Sequence, residues 1–158
     1  MRILFATGNE HKVSEASSIL SPLGFVVEPL LIDGQTPDLV EPQTDGIEDV
    51  TLSKLDQARS MTMGTEFEGE ILLAEDSGLF IDSLSGFPGP FSSFIEKTIG
   101  LNGVLKLMSG ISDRGAEFRA VAAICFEGKI LTSTGICRGE ISEKISGEMG
   151  FGYDPIFI

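Results

Sequence analysis

Hydrophobic positions along the chain follow two rhythms. Ile3, Leu4, Phe5 and Ala6 form a short unbroken apolar run that stops at Gly8 and Asn9, which predicts a buried strand over residues 2–7 and a tight turn after it. Val13, Ala16, Ile19 and Leu20 then recur at three- and four-residue spacing, with Ser14, Glu15, Ser17 and Ser18 elsewhere on the wheel and Pro22 and Gly24 closing the stretch. That is the signature of an amphipathic helix. Residues 25–31 read as a second strand, and residues 33–46, acidic and interrupted by Pro37 and Pro42, read as a surface loop. Ile47, Val50, Leu55, Ala58 and Met61 predict a second helix stopped by Gly64, although Thr51 and Leu52 blur its stripe.

Ile71, Leu72, Leu73 and Ala74 make another continuous apolar run, and it ends in Glu75, Asp76, Ser77 and Gly78. A buried strand that delivers polar groups at its carboxyl end has this pattern, with residues 79–81 as a further extended piece. After a Gly- and Pro-rich loop at 86–90, residues 91–97 and 103–108 suit short helices. Residues 116–126 and 129–139 alternate like a hairpin around Glu127 and Gly128. Its second face (Glu117, Arg119, Val121, Ala123, Cys125) is only partly polar, so both faces are expected to be covered. Residues 156–158 look β-like. No repeat or linker appears, and the fold class is α/β, one domain over residues 1–158 with a mixed sheet.

Charge then restricts the chemistry. The 158 residues carry 24 acidic and 11 basic side chains, a net charge of -13, which disfavours an extended phosphate backbone such as nucleic acid. An anionic substrate would need locally focused cations or a divalent metal bridging it to carboxylates. No apolar run approaches the ~20 residues that span a bilayer, and residues 1–6 are too short for a signal-peptide core; a cytoplasmic protein is expected. Cys125 and Cys137, placed by the hairpin register about seven residues apart, are too distant to bridge. His11 is the sole histidine, so a Ser-His-Asp triad or a His-rich zinc site cannot be assembled away from it. Carboxylates, lysines and metal remain.

Four segments can carry such chemistry. Thr7, Gly8, Asn9, Glu10, His11 and Lys12 lie between strand and helix, where backbone N–H groups, the helix dipole and a lysine make a phosphate cradle; the same residues also suit a plain helix cap and turn. Glu75 and Asp76 can hold Mg²⁺ or activate water, or can simply end a strand. Asp38, Glu41 and Asp45 can complete a hard-cation site with Asp76 or remain solvated surface. Phe151, Gly152, Tyr153, Asp154 and Pro155 offer an aromatic ring and open backbone to a planar base, the alternative being that both rings are core.

In this order, Thr7-Gly8-Asn9-x-x-Lys12, Ala74-Glu75-Asp76-Ser77-Gly78-Leu79, Phe87-Pro88-Gly89-x-Phe91-Ser92-Ser93 and Phe151-Gly152-Tyr153-Asp154-Pro155-Ile156-Phe157 resemble the Ham1, or inosine triphosphate pyrophosphatase, family. Residues 98–108 resemble its archaeal-type members. The resemblance spans essentially the whole chain. It implies an elongated mixed sheet flanked by helices, a homodimer, and Mg²⁺-dependent hydrolysis of deaminated purine nucleoside triphosphates (ITP, dITP, XTP) to monophosphate and pyrophosphate. By the same resemblance, Thr7 to Lys12 and Lys54 hold the triphosphate, Glu41 and Asp76 bind Mg²⁺, and Asp76 accepts the proton of the attacking water with support from Glu75. Ser77 contacts substrate, Phe151 stacks on the base, and Gly152, Tyr153 and Asp154 line its pocket. Two other readings stay open: a nucleotide-binding module without turnover, and a phosphatase that releases orthophosphate. Family members continue into a segment with a lysine and a Ser-His-Arg motif that reads the purine, which the sequence to Ile158 lacks; weaker purine discrimination and stability are expected of a chain ending there.

Overall fold

A computed structural model of the chain describes residues 1–147 and 151–158. Among these residues five strands occur in the order β2-β1-β3-β4-β5: β1 (Arg2–Phe5), β2 (Val26–Pro29), β3 (Ile71–Ile81), β4 (Gly115–Phe126) and β5 (Lys129–Glu140). Among the described residues four α-helices accompany them: α1 (Glu10–Leu20), α2 (Ile47–Thr62), α3 (Ser92–Thr98) and α4 (Gly100–Leu107). The sheet is mixed, because β1 runs parallel to both β2 and β3 while β4 and β5 form a hairpin whose turn residues Glu127 and Gly128 both have positive φ, 49° and 74°, as a two-residue primed turn requires. The chain divides into two compact units. One comprises Met1–Gln43, Glu48–Asp76 and Val121–Ser133, the other Thr44–Ile47, Ser77–Ala120 and Thr134–Ile158.

In the first unit the apolar run of β1 is split by the strand's two-residue period. Leu4 and Ala6 point into one cluster with Leu30, Leu55, Ala58, Leu72 and Ala74, where Leu55 and Ala58 come from α2. Ile3 and Phe5 point the other way, into a cluster with Val27, Ile71 and Leu73 against which Val13, Ala16 and Leu20 of α1 pack. A strand covered on both faces needs no polar alternation, so the run in the sequence is continuous. Of the two residues that blurred the α2 stripe, Thr51 is fully buried, and its hydroxyl donates to the Val121 carbonyl at 3.3 Å, as a buried polar group should.

The second unit has its own core: Leu79, Ile81, Val104, Met108, Ala116, Ile141, Tyr153 and Ile156. Glu117 is buried there at 2% exposure because Arg119 and Arg138 both donate to its carboxylate, the latter at 2.6 Å. Arg119 also lies 4.1 Å above the Phe80 ring.

Three expectations are corrected. The acidic pair does not end a strand: β3 runs on through residues 75–78, since Leu79, Phe80 and Ile81 are buried and keep the chain extended. The hairpin is not covered on both faces, because β5 is exposed along nearly its whole length, with Leu131 at 65% and Ile136 at 60%. The chain end is not a regular strand. Asp154–Ile156 make a 3₁₀ turn with Pro155 inside it, and only Phe157 bridges to Ile141 while Glu140 and Ile158 exchange backbone bonds of 2.7 and 2.9 Å. Both cysteines are free thiols, Cys125 buried and Cys137 exposed, and among the described residues no helix is long and apolar enough to cross a membrane.

Candidate active site

Register places the charges of the first unit. Phe5 is the last residue of β1 and pairs with Leu73, so Glu75 and Asp76 on the longer β3 project past the point where the chain leaves β1 for α1. There Thr7 and Asn9 shape the turn. The Asn9 N–H donates to Thr7 Oγ1 at 3.1 Å, and Asn9 Oδ1 accepts from the N–H groups of His11 and Lys12 at 3.0 and 3.3 Å. Two of the helix's first-turn donors are thus capped by the protein itself. The plain-cap reading is therefore realised, and a phosphate at this end would compete with the Asn9 side chain. Glu10 and His11 stand exposed.

Lys12 turns toward the strand, its Nζ 2.7 Å from Glu75 Oε2 and 3.7 Å from Asp76 Oδ1. From α2, Lys54 Nζ reaches Glu41 Oε1 at 2.6 Å and Asp76 Oδ2 at 3.2 Å. Asp76 therefore lies between two ammonium groups, and Lys54 bridges two carboxylates that stem from different elements. Side-chain exposure is 14% for both Lys54 and Asp76 but 57% for Glu41, so the pairing tightens inward. Burial by itself pushes the Lys54 ammonium down, yet the Asp76 charge and the bonds to Glu41 outweigh it and leave its pKa above the ordinary value. Asp38 and Asp45 are exposed on the loop that carries Glu41.

The donor set suits a hard divalent cation. Glu41 and Asp76 are oxygen ligands already gathered about one positive charge, and Mg²⁺ needs only one or two carboxylates when phosphate and water fill its octahedron. Among the described residues no group of three or more His, Cys, Asp or Glu side chains is gathered to hold a metal ion. A groove of about 780 Å³ runs along α1 and β2, lined by Thr7, Gly8, Glu10, Val13, Ser17 and Pro29 among others, and the lysine–carboxylate cluster does not line it.

The remaining candidates lie in the second unit. Ser77 follows Asp76 on β3 and is partly exposed. Phe151 is 54% exposed, and its N–H donates to Asp154 Oδ2 at 2.8 Å, closing a turn in which Gly152 takes φ 61°. The two rings have opposite fates: Tyr153 is 3% exposed, and its hydroxyl donates to the Ser92 carbonyl at 2.7 Å. Only the backbone of Tyr153 is left to line a pocket. Sequence reasoning gave Ser92 no role, yet its Oγ accepts from Leu79 N–H at 2.8 Å and donates to the Gly89 carbonyl at 2.6 Å. A small polar residue in the Gly- and Pro-rich segment 87–93 was the available signal. The same junction explains Gly78: a Cβ there would lie 2.9 Å from the Gly89 carbonyl carbon, closer still to its oxygen, and 3.1 Å from Ile47 Cδ1.

A mixed sheet with a capped helix start, and two lysines and three carboxylates gathered past the end of β1, defines a class of α/β proteins with a charged site at the edge of a parallel strand pair. The Ham1 family model matches residues 3–158, and the chain belongs to that family. It is 45% identical over 159 residues to a dITP/XTP pyrophosphatase of Methanopyrus kandleri and 41% identical over 158 residues to one of Ignicoccus hospitalis, covering 100% and 99% of this chain and 79% of each relative. Among solved structures, a HAM1 protein from Coxiella burnetii superposes with a TM-score of 0.83 at 30% identity, covering 99% of this chain and 81% of that one. The Staphylococcus aureus Ham1 protein gives 0.81 at 26% identity, covering 99% and 80%.

Proposed function

We propose that the protein is a metal-dependent pyrophosphatase of deaminated purine nucleoside triphosphates (ITP, dITP and XTP), releasing the monophosphate and pyrophosphate and so clearing the nucleotide pool. The observation that carries this reading is the position of Asp76 between Lys12 and Lys54, with Glu41 and Glu75 paired to the same two lysines. The names of the archaeal relatives supply the substrate class.

Glu41 and Asp76 would hold Mg²⁺, which supplies neutralisation of the charge that builds on the reacting phosphate oxygens. Lys12 and Lys54, whose charges are offset by carboxylates without substrate, carry the positive charge that the triphosphate needs. Gly8, in the turn that Thr7 and Asn9 shape, brings its backbone to the positive end of the α1 dipole, joined by the exposed Glu10 and His11. Asp76 accepts a proton from the attacking water, and Glu75, held by Lys12, keeps a second carboxylate beside it. Preorganised charges of this kind lower the barrier because they need no reorganisation during reaction. Ser77, Phe151, Gly152, Tyr153 and Asp154 take the substrate-contacting and base-stacking parts that the family resemblance implies. A homodimer in the cytoplasm completes the reading, and sedimentation of the purified chain tests the dimer.

The decisive assay incubates the protein with ITP and Mg²⁺ and measures pyrophosphate, orthophosphate and IMP. Equimolar pyrophosphate and IMP are expected. Orthophosphate with IDP would make it a phosphatase, and saturable binding without product would make it a binding module. Asp76→Asn should cut turnover at least about 100-fold, as expected for loss of a proton acceptor, with the thermal transition preserved; retained turnover would remove Asp76 from the mechanism.

A further inference from the structure

The loop that carries Glu41 has no regular secondary structure from Thr36 to Thr44, yet Glu41 must meet Asp76 with ångström precision if the two carboxylates share a metal. One side chain addresses that problem. Gln57 lies one helical turn beyond Lys54 on α2, and its amide grips the backbone of Val40 at both ends. Val40 N–H donates to Gln57 Oε1 at 2.9 Å, and Gln57 Nε2 donates to the Val40 carbonyl at 2.8 Å. The amide is itself held, since Nε2 also lies 3.2 Å from both the Ser53 carbonyl and Ser53 Oγ. Beside it, Leu39 packs against the core cluster built on Leu55 and Ala58. The residue immediately after this clamp is Glu41.

We propose that Gln57 is a positioning residue for the divalent-metal site: its amide, bonded to both backbone groups of Val40, sets the Glu41 carboxylate opposite Lys54 and Asp76. The inference rests on the reading of Glu41 as a metal ligand. An amide suits the task because it offers one acceptor and two donors in a plane, imitating the partner that a neighbouring strand would give Val40. A 57%-exposed carboxylate on an untethered loop would pay the entropy of ordering at each metal-binding event, whereas the clamp removes that cost beforehand.

The test uses Gln57→Met, which keeps the length of the side chain and removes its bonds, and Gln57→Ala, which favours the helix should the first variant melt early. In the metal-free protein, amide hydrogen exchange at Val40 should accelerate. Mn²⁺ titration followed by electron paramagnetic resonance, without nucleotide, should show a half-saturating concentration raised about 5- to 10-fold. ITP turnover at saturating Mg²⁺ should stay within about two-fold of wild type, which separates metal affinity from chemistry. Glu41→Gln should weaken Mn²⁺ on its own, and adding Gln57→Met to it should have no further effect, because a positioning residue has nothing left to position. If Glu41→Gln weakens Mn²⁺ and Gln57→Met does not, the positioning role is overturned alone. If Glu41→Gln also binds Mn²⁺ as wild type, the metal reading and this inference fall together. An equal, additive loss from Gln57→Met in both backgrounds would mark it as merely structural.

Discussion

Replacing Lys54 by methionine keeps most of the aliphatic stem and deletes the ammonium that joins Glu41 to Asp76. Two limits bracket the cost. Removing one partner from a fully buried ion pair destabilises by about 3–5 kcal/mol, and an exposed pair contributes at most about 1 kcal/mol. The Lys54–Asp76 contact, at 14% exposure on each side, approaches the first limit, whereas Glu41, at 57%, falls under the second. Lys12 remains 3.7 Å from Asp76 and still compensates part of the carboxylate charge. A loss of about 2 kcal/mol in metal-free buffer follows, or roughly 4–8 °C in Tm for a chain of this size. The substitution should also draw metal in more tightly, since the cation that competes for the two carboxylates is gone. Turnover should nonetheless fall about 100-fold, or about 2.7 kcal/mol of transition-state stabilisation, because the lysine is assigned to the triphosphate. Urea unfolding with and without Mg²⁺, Mn²⁺ titration and initial rates of pyrophosphate release from ITP read the three effects. Stability within about 0.5 kcal/mol of wild type together with turnover within two-fold would refute the reasoning, because the bridge would then be doing neither job.

Gly78→Ala places a methyl group against the Gly89 backbone and should cost about 3 kcal/mol through overpacking while shifting the strand that carries Asp76; a Tm change below about 2 °C would show that the junction yields freely. Burial first, and then the nearby Glu96 charge, push the Tyr153 phenol up to about 12 from 10.0. Its folded pKa lies above its unfolded one, so its contribution is complete below pH 10 and is lost as pH rises toward 12, in the same direction as the raised Lys54 ammonium. Stability in urea should therefore be flat with respect to these two groups at neutral pH and fall between pH 10 and 12, and Tyr153→Phe should flatten part of that fall. A phenolate signal appearing near pH 10 in the folded protein would contradict it.

How much could be read from the chain depended on the range of the interaction. The apolar runs of β1 and β3, the spacing of α1 and α2 and the Glu127-Gly128 turn are local patterns, set by backbone geometry over a few residues, and the elements appear where those patterns lie. The motifs at residues 7–12, 74–79, 87–93 and 151–157 sufficed for the family, since a family is recognised by residue types in order. The partners of those residues were out of reach. That Lys54 joins Glu41 to Asp76, that Tyr153 is core while Phe151 is exposed, and that Gln57 holds Val40 all depend on register and packing between segments distant in sequence. The acidic pair shows the division most clearly. The sequence determined that two carboxylates follow a buried apolar run. The tertiary structure decided that β3 does not stop there but passes through them, because residues 79–81 have a second core to enter and β1, its parallel neighbour, ends earlier.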